Sequence, residues 1–173
     1  ARAADSAEVA LSASRALAPP PPRVSVDLWQ PAPVPAALVA SLVSLGSDDT
    51  VEIGRWGERL VASVLEQEHA AAGSGKRVKW VNETAEQGLP YDVLVMTDDE
   101  KQVESVIEVK STTSKSKSIF EVSMAELDMA VRAGATYVIY RIFGVGTEHV
   151  RAVQLRNPAS HLRAGDGLKL YIG

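Results

Sequence analysis

The chain contains no cysteine, which excludes a disulfide framework, a thiolate zinc site and a cysteine nucleophile. Histidine is scarce. His69, His149 and His161 are scattered without ligand spacing, so each reads as a surface or packing residue rather than a metal ligand. No stretch approaches the roughly 20 apolar residues of a membrane span, so no membrane partner is expected. Positive charge is not in excess either: 18 Lys and Arg face 22 Asp and Glu, for a net charge of −4. Bulk charge therefore does not advertise a nucleic-acid binder, although a local basic stripe can still do that work. Internal repeats are also lacking.

What is present is enough apolar material for a core. Hydrophobic residues make up 46% of 173 positions, the size of one ordinary domain with some additional chain. The opening residue is Ala1, which leads to the expectation of a piece of a longer protein. Residues 1–50 differ in texture from the remainder. Ala and Pro dominate there, with prolines at 19–22, 31, 33 and 35. Such runs favour extended polyproline II and are excluded from core helices and central strands. Short helices are expected at Ala7–Ala16 and Ala36–Leu45, and the segment reads as a linker or docking region that offers a site for a protein partner.

From Val51 onward the pattern is that of a folded domain, 51–173. Ile53, Trp56, Leu60, Val61, Val64 and Leu65 recur at helical spacing up to the Gly-rich segment at 72–75. Strand-like runs follow at Val78–Asn82, Tyr91–Met96, Val103–Ser111 and Ile119–Val122, with a hairpin turn at 98–101. Met124–Ala133 reads as a second helix closed by Gly134. Thr136–Phe143 is the most apolar strand, as expected at the middle of a sheet, and Val150–Leu155 is a further strand. This succession predicts an α/β layered fold with a central mixed sheet flanked by helices, in αβββαβ order.

The stretch "SVIEVKST" at 105–112 sets two charges into a β-branched strand. Side chains alternate along a strand, so Glu108 and Lys110 share one face while Ile107 and Val109 share the other. In the preceding run, "GLPYDVLV", Asp92 is followed by apolar Val93 and Val95. A hairpin about 98–101 brings Asp92 level with Glu108 and Lys110, to within about two residues. Two carboxylates and a lysine then converge. Mg²⁺ prefers hard oxygen ligands, and one or two carboxylates plus waters and substrate phosphates are its usual set. Asp92 and Glu108 supply carboxylates, the Val109 carbonyl a further oxygen, and Lys110 a group to orient or deprotonate a metal-bound water. On the first helix, Glu58 lies about 140° from Ile53 at about 100° per residue, at the edge of the apolar arc. The plainer reading of Glu58 is a solvated residue able to pair with Arg55. Taken singly, an E-x-K pair is more often a surface ion pair than a site; the spacing from Asp92 strengthens it.

These residues together resemble the PD-(D/E)xK nuclease superfamily: "PYD" at 90–92, "EVK" at 108–110 and the preceding helix "GRWGERL" at 54–60. More narrowly, "GRWGE", "VKWVNE", "GLPYDV", "IEVKST" and "YVIYRI", in that order, look like the C-terminal domain of NO VEIN proteins. The resemblance covers about residues 51–157. It implies a restriction-endonuclease-like core, an intracellular and nuclear setting within a larger protein, and Mg²⁺- or Mn²⁺-dependent hydrolysis of phosphodiester bonds in DNA or RNA. It assigns Asp92 and Glu108 as metal ligands, Lys110 as the catalytic lysine and Glu58 as the first-helix glutamate. One departure is Tyr91, which interrupts the motif's Pro-Asp.

Further substrate-binding candidates are Ser111 and Thr112 after the lysine, Lys115 and Lys117 on a basic loop suited to a phosphate backbone, and Glu126 and Arg141 on elements expected to border the cleft. Trp56 and Trp80 read as core. The competing reading is a catalytically silent module that keeps the fold in order to bind nucleic acid or a protein partner.

Overall fold

The computed structural model describes residues 28–42, 45 and 49–164. The expected helix at Ala7–Ala16 lies outside the described residues. In chain order the elements are strand β1 (Gln30–Ala32), helix α1 (Ala36–Ser41), helix α2 (Thr50–Ala71), and strands β2 (Arg77–Trp80), β3 (Val93–Met96) and β4 (Val103–Thr112). Helix α3 (Met124–Ala133), strands β5 (Tyr137–Phe143) and β6 (Arg151–Arg156), and helix α4 (Pro158–Ala164) complete them. The six strands form one sheet in the order β1-β6-β5-β4-β3-β2. Every pairing is antiparallel except β4 with β5. A parallel pair needs a crossover, and α3 supplies it. No helix among the described residues is long and apolar enough to cross a membrane.

Helix α2 forms because its apolar residues fall on one stripe. Trp56, Leu60, Val61, Val64 and Leu65 are all buried, and the Asp49 side chain caps the start by accepting the Val51 amide at 2.9 Å. That stripe packs on Val93, Val95, Ile107, Val109, Val138, Tyr140 and Ile142 from one face of the sheet. Gly57 sets the closeness of the approach: a Cβ there would stand 1.8 Å from Ser111 Oγ. On the other face Val106, Tyr137, Ile139 and Leu155 of the sheet are buried in one cluster with Ala130 of α3. A capping box between Ser123 and Glu126 starts that helix. Strand β5 is buried at every position, as befits a strand with a layer on both sides.

The expected α-β-β-β-α-β succession is present from α2 to β5, and three details differ. Ile119–Val122 is not a strand. β4 already has β3 on one side and β5 on the other, so the segment that leaves it has no edge to join; Phe120 packs while Ile119 stays 70% exposed. Residues before Val51 also enter the fold. β1 pairs with β6 through Pro31, a position proline tolerates because β1 lies at the sheet edge, and Val34, Leu38, Val39, Leu42 and Leu45 pack on the core. Helix α1 is shorter than expected, ending at Ser41.

Candidate active site

β3 stops one residue short of Asp92, and this decides the local geometry. The Asp92 amide still donates to the Ile107 carbonyl at 2.8 Å, and its carbonyl accepts the Val81 amide at 2.8 Å. The next ladder position is filled by the side chain: Asp92 Oδ2 accepts the Val109 amide at 2.8 Å. Register pairs Val93 with Ile107, which sets Asp92 level with Glu108. Because the N–H and C=O of an extended residue point to the same edge, the Val109 carbonyl also points beyond the end of β3.

Asn82 holds the other Asp92 oxygen. Its side-chain amide, 1% exposed, donates to Asp92 Oδ1 at 3.0 Å and to Glu58 Oε2 at 3.2 Å. Its own carbonyl oxygen accepts the Gln87 amide at 3.1 Å. The Trp80 indole donates to the same Glu58 oxygen at 2.8 Å. Glu58 is therefore not the solvated helix residue of the plainer reading; it is 7% exposed. Arg55 goes elsewhere, donating to the Glu83 carbonyl and stacking over Trp80.

On the α3 face, Glu108 is 5% exposed and its Oε1 meets Lys110 Nζ at 2.8 Å. Lys110 Nζ also donates to Glu126 Oε2 at 2.9 Å, the oxygen that accepts the Ser123 amide in the capping box. Tyr137, on β5, donates its hydroxyl to the Pro90 carbonyl at 3.2 Å and so ties down the approach to Asp92.

Burial is the main electrostatic influence on these groups, because it penalises the charged form. Burial, then the charge of Glu58, pushes Asp92 up to about 7, against the pull of the Val109 amide. Burial, then the charge of Asp92, pushes Glu108 up to about 8, more than Lys110 draws it down. Burial also works against the Lys110 ammonium, but Glu108 and then Glu126 outweigh it and keep Lys110 above its ordinary value. Tyr137 is raised by burial and then by Glu108, Glu126 and Asp92, so it stays a hydroxyl donor.

Glu58, Asp92, Glu108, Lys110 and Glu126 are thus linked through direct bonds and mutual fields. The other candidates sit apart. Ser111 projects to the α2 face under Gly57, opposite the face of Lys110, and among the described residues its buried hydroxyl has no hydrogen-bond partner. Thr112 Oγ1 accepts the Ser114 amide, forming the turn after β4. Lys115 and Lys117 are exposed on that turn. Arg141 pairs in register with Lys110, hence on the same face, and is buried. Asn82, Trp80 and Tyr137 lie in the stretches VKWVNE and YVIYRI, but their residue types alone point to no role at the site; the fold brings them to the carboxylates.

Among the described residues no three His, Cys, Asp or Glu side chains are grouped to hold a metal ion. Asp92 and Glu108 are hard oxygen donors of the kind a divalent cation with few protein ligands takes, and burial disfavours the charged form of each. The fold and site define an α/β sheet domain with a buried acid–lysine cluster where its central strands part. Its residues 57–155 match the family profile described as protein NO VEIN, C-terminal, and the chain belongs to that family. It is 31% identical over 114 residues to Protein NO VEIN of Arabidopsis thaliana, covering 66% of this chain and 4% of that protein. It is 34% identical over 123 residues to Protein NO VEIN-LIKE of the same plant, covering 70% of this chain and 17% of the relative. The chain therefore spans a small part of the length of either relative. No solved structure matches it.

Proposed function

We propose that this domain is a metal-dependent nuclease of the PD-(D/E)xK type, with a restriction-endonuclease-like core, that hydrolyses phosphodiester bonds in nucleic acid as part of a larger protein. The observation that carries this reading is that the register sets two buried acids, Asp92 and Glu108, level at the end of β3, with Lys110 bonded to Glu108. Asp92, Glu108 and the Val109 carbonyl would hold Mg²⁺ or Mn²⁺. When bound, such an ion supplies Lewis-acid polarisation of a phosphate and a water of lowered pKa.

This chain's own residues set the stage for that chemistry. Asn82 and the Val109 amide fix both oxygens of Asp92, so its remaining lone pairs have one direction to face. Glu58 raises Asp92 and thereby favours a cation over an empty, doubly ionised site. Lys110 is held as an ammonium, so it acts as a charge that steadies an anionic phosphate rather than as a base. Asp92 and Glu108 would have to give up protons to hold such an ion.

One observation favours the silent-module reading. Both partners of Lys110, Glu108 and Glu126, are carboxylates of this chain, so the lysine is occupied without substrate. The test is incubation of the full chain with single- and double-stranded DNA and RNA, with Mg²⁺, Mn²⁺ or chelator. Metal-dependent cleavage that disappears in Asp92→Ala and Lys110→Ala supports the nuclease. Cleavage that persists in both overturns it, and absence of both cleavage and calorimetric metal uptake favours the binding module.

A further inference from the structure

Among the described residues, Arg141 is a buried cation without a counter-anion. It is 3% exposed, and among the described residues no carboxylate forms an ion pair with it. Its Nη2 donates to the Lys117 carbonyl at 2.8 Å, while Nε is buried with no hydrogen-bond partner among the described residues. The guanidinium lies over the rings of Phe120 at 5.5 Å and Phe143 at 5.1 Å. A second guanidinium, Arg151, stands 4.1 Å from the same Phe143 ring and likewise forms no ion pair among the described residues. The turn that carries Lys115 and Lys117 covers this corner.

Ring faces compensate a guanidinium only in part, and an unpaired N–H donor in the interior is unfavourable. Two unpaired guanidiniums on one ring, next to two exposed lysines, make a concentration of positive charge in a chain that is acidic overall. An arginine fork suits a phosphate, whose oxygens accept two parallel N–H bonds. Position supports this further: Arg141 is paired in register with Lys110 and shares its face, so an anion at Arg141 neighbours the Asp92–Glu108 cluster.

We propose that Arg141, assisted by Arg151 and the turn bearing Lys115 and Lys117, is the receptor for a backbone phosphate of a nucleic-acid strand lying beside the scissile bond. This rests on the nuclease reading above. Phe120 and Phe143 hold the guanidinium flat, and the Lys117 carbonyl occupies one donor until the phosphate arrives.

The test is fluorescence anisotropy of the full chain with a labelled single-stranded DNA oligonucleotide and with its duplex, in chelator, across a salt series. Arg141→Met is expected to weaken binding about tenfold and to lower the salt slope by about one, the signature of a lost phosphate contact. Arg141→Lys should keep the slope and recover part of the affinity. In parallel, the Arg141 Nε–Hε resonance of the wild-type chain should move downfield when oligonucleotide is added, a readout that does not depend on any variant folding. Unchanged affinity and slope in Arg141→Met, or an unmoved resonance in a wild-type chain that binds, overturns the receptor while leaving the nuclease reading intact. A wild-type chain that neither binds nor cleaves any oligonucleotide overturns both.

Discussion

The side-chain amide of Asn82 donates to the Asp92 carboxylate at 3.0 Å while also holding Glu58 at 3.2 Å. One neutral donor thus separates two buried acids that belong to different layers of the fold. Asn82→Ala removes the shared donor and leaves both carboxylates facing each other. Loss of buried hydrogen bonds to charged groups costs about 1.5–3 kcal/mol each, so a destabilisation of about 2–4 kcal/mol is expected in urea unfolding. A change below about 0.5 kcal/mol would show that the bridge is dispensable.

The raised pair predicts a pH dependence of known sign. Asp92 moves from an ordinary 3.8 to about 7 and Glu108 from 4.5 to about 8. The folded state therefore binds protons more tightly than the unfolded chain. Their contribution is fully present below about pH 4 and is lost as pH rises through 7 to 8. Glu108→Gln keeps an acceptor for Lys110 but removes one titrating charge. Its stability relative to wild type should improve steadily from pH 5 to pH 8, measured by urea unfolding at each pH; a constant difference would contradict the raised value.

If the pair takes up a cation, protons and metal compete for it. Mg²⁺ or Mn²⁺ should then raise the melting temperature of the wild-type chain more at pH 8 than at pH 5, and Glu108→Gln should abolish most of that rise. Equal metal effects at both pH values would argue against binding at these carboxylates.

Gly57 and Ser111 make a pair of opposite predictions. Gly57→Ala would gain up to about 1 kcal/mol of helix propensity, but its Cβ would meet Ser111 Oγ at 1.8 Å. The clash should win, with a net loss of about 1–3 kcal/mol, and Ser111→Gly in the same chain should restore most of it. Ser111→Ala alone removes a buried hydroxyl with no hydrogen-bond partner among the described residues, so stability should hold or rise and cleavage should not change. A large loss of cleavage with stability intact would return Ser111 to the site.

The two periodicities of the chain were legible without any structure. The 3.6-residue stripe of Trp56, Leu60, Val61, Val64 and Leu65 determined α2 and the face it buries, because such a stripe has no other way to leave water. The alternation through Val103–Thr112 and the turn at 98–101 determined that Asp92 comes level with Glu108, because a hairpin's register follows from its turn and its buried face. Those relations are local, and local sequence carries them. The remainder was decided by neighbours distant in the chain. Ser111 is turned under Gly57 from 54 residues away, Ile119–Val122 finds both sides of β4 taken, and Pro31 enters the sheet only because β6 is there to receive it. Asn82 is a buried bridge solely because α2 and the segment leading into β3 deliver acids to both sides of it. Periodicity says which face a side chain takes; only packing says what waits on the other side.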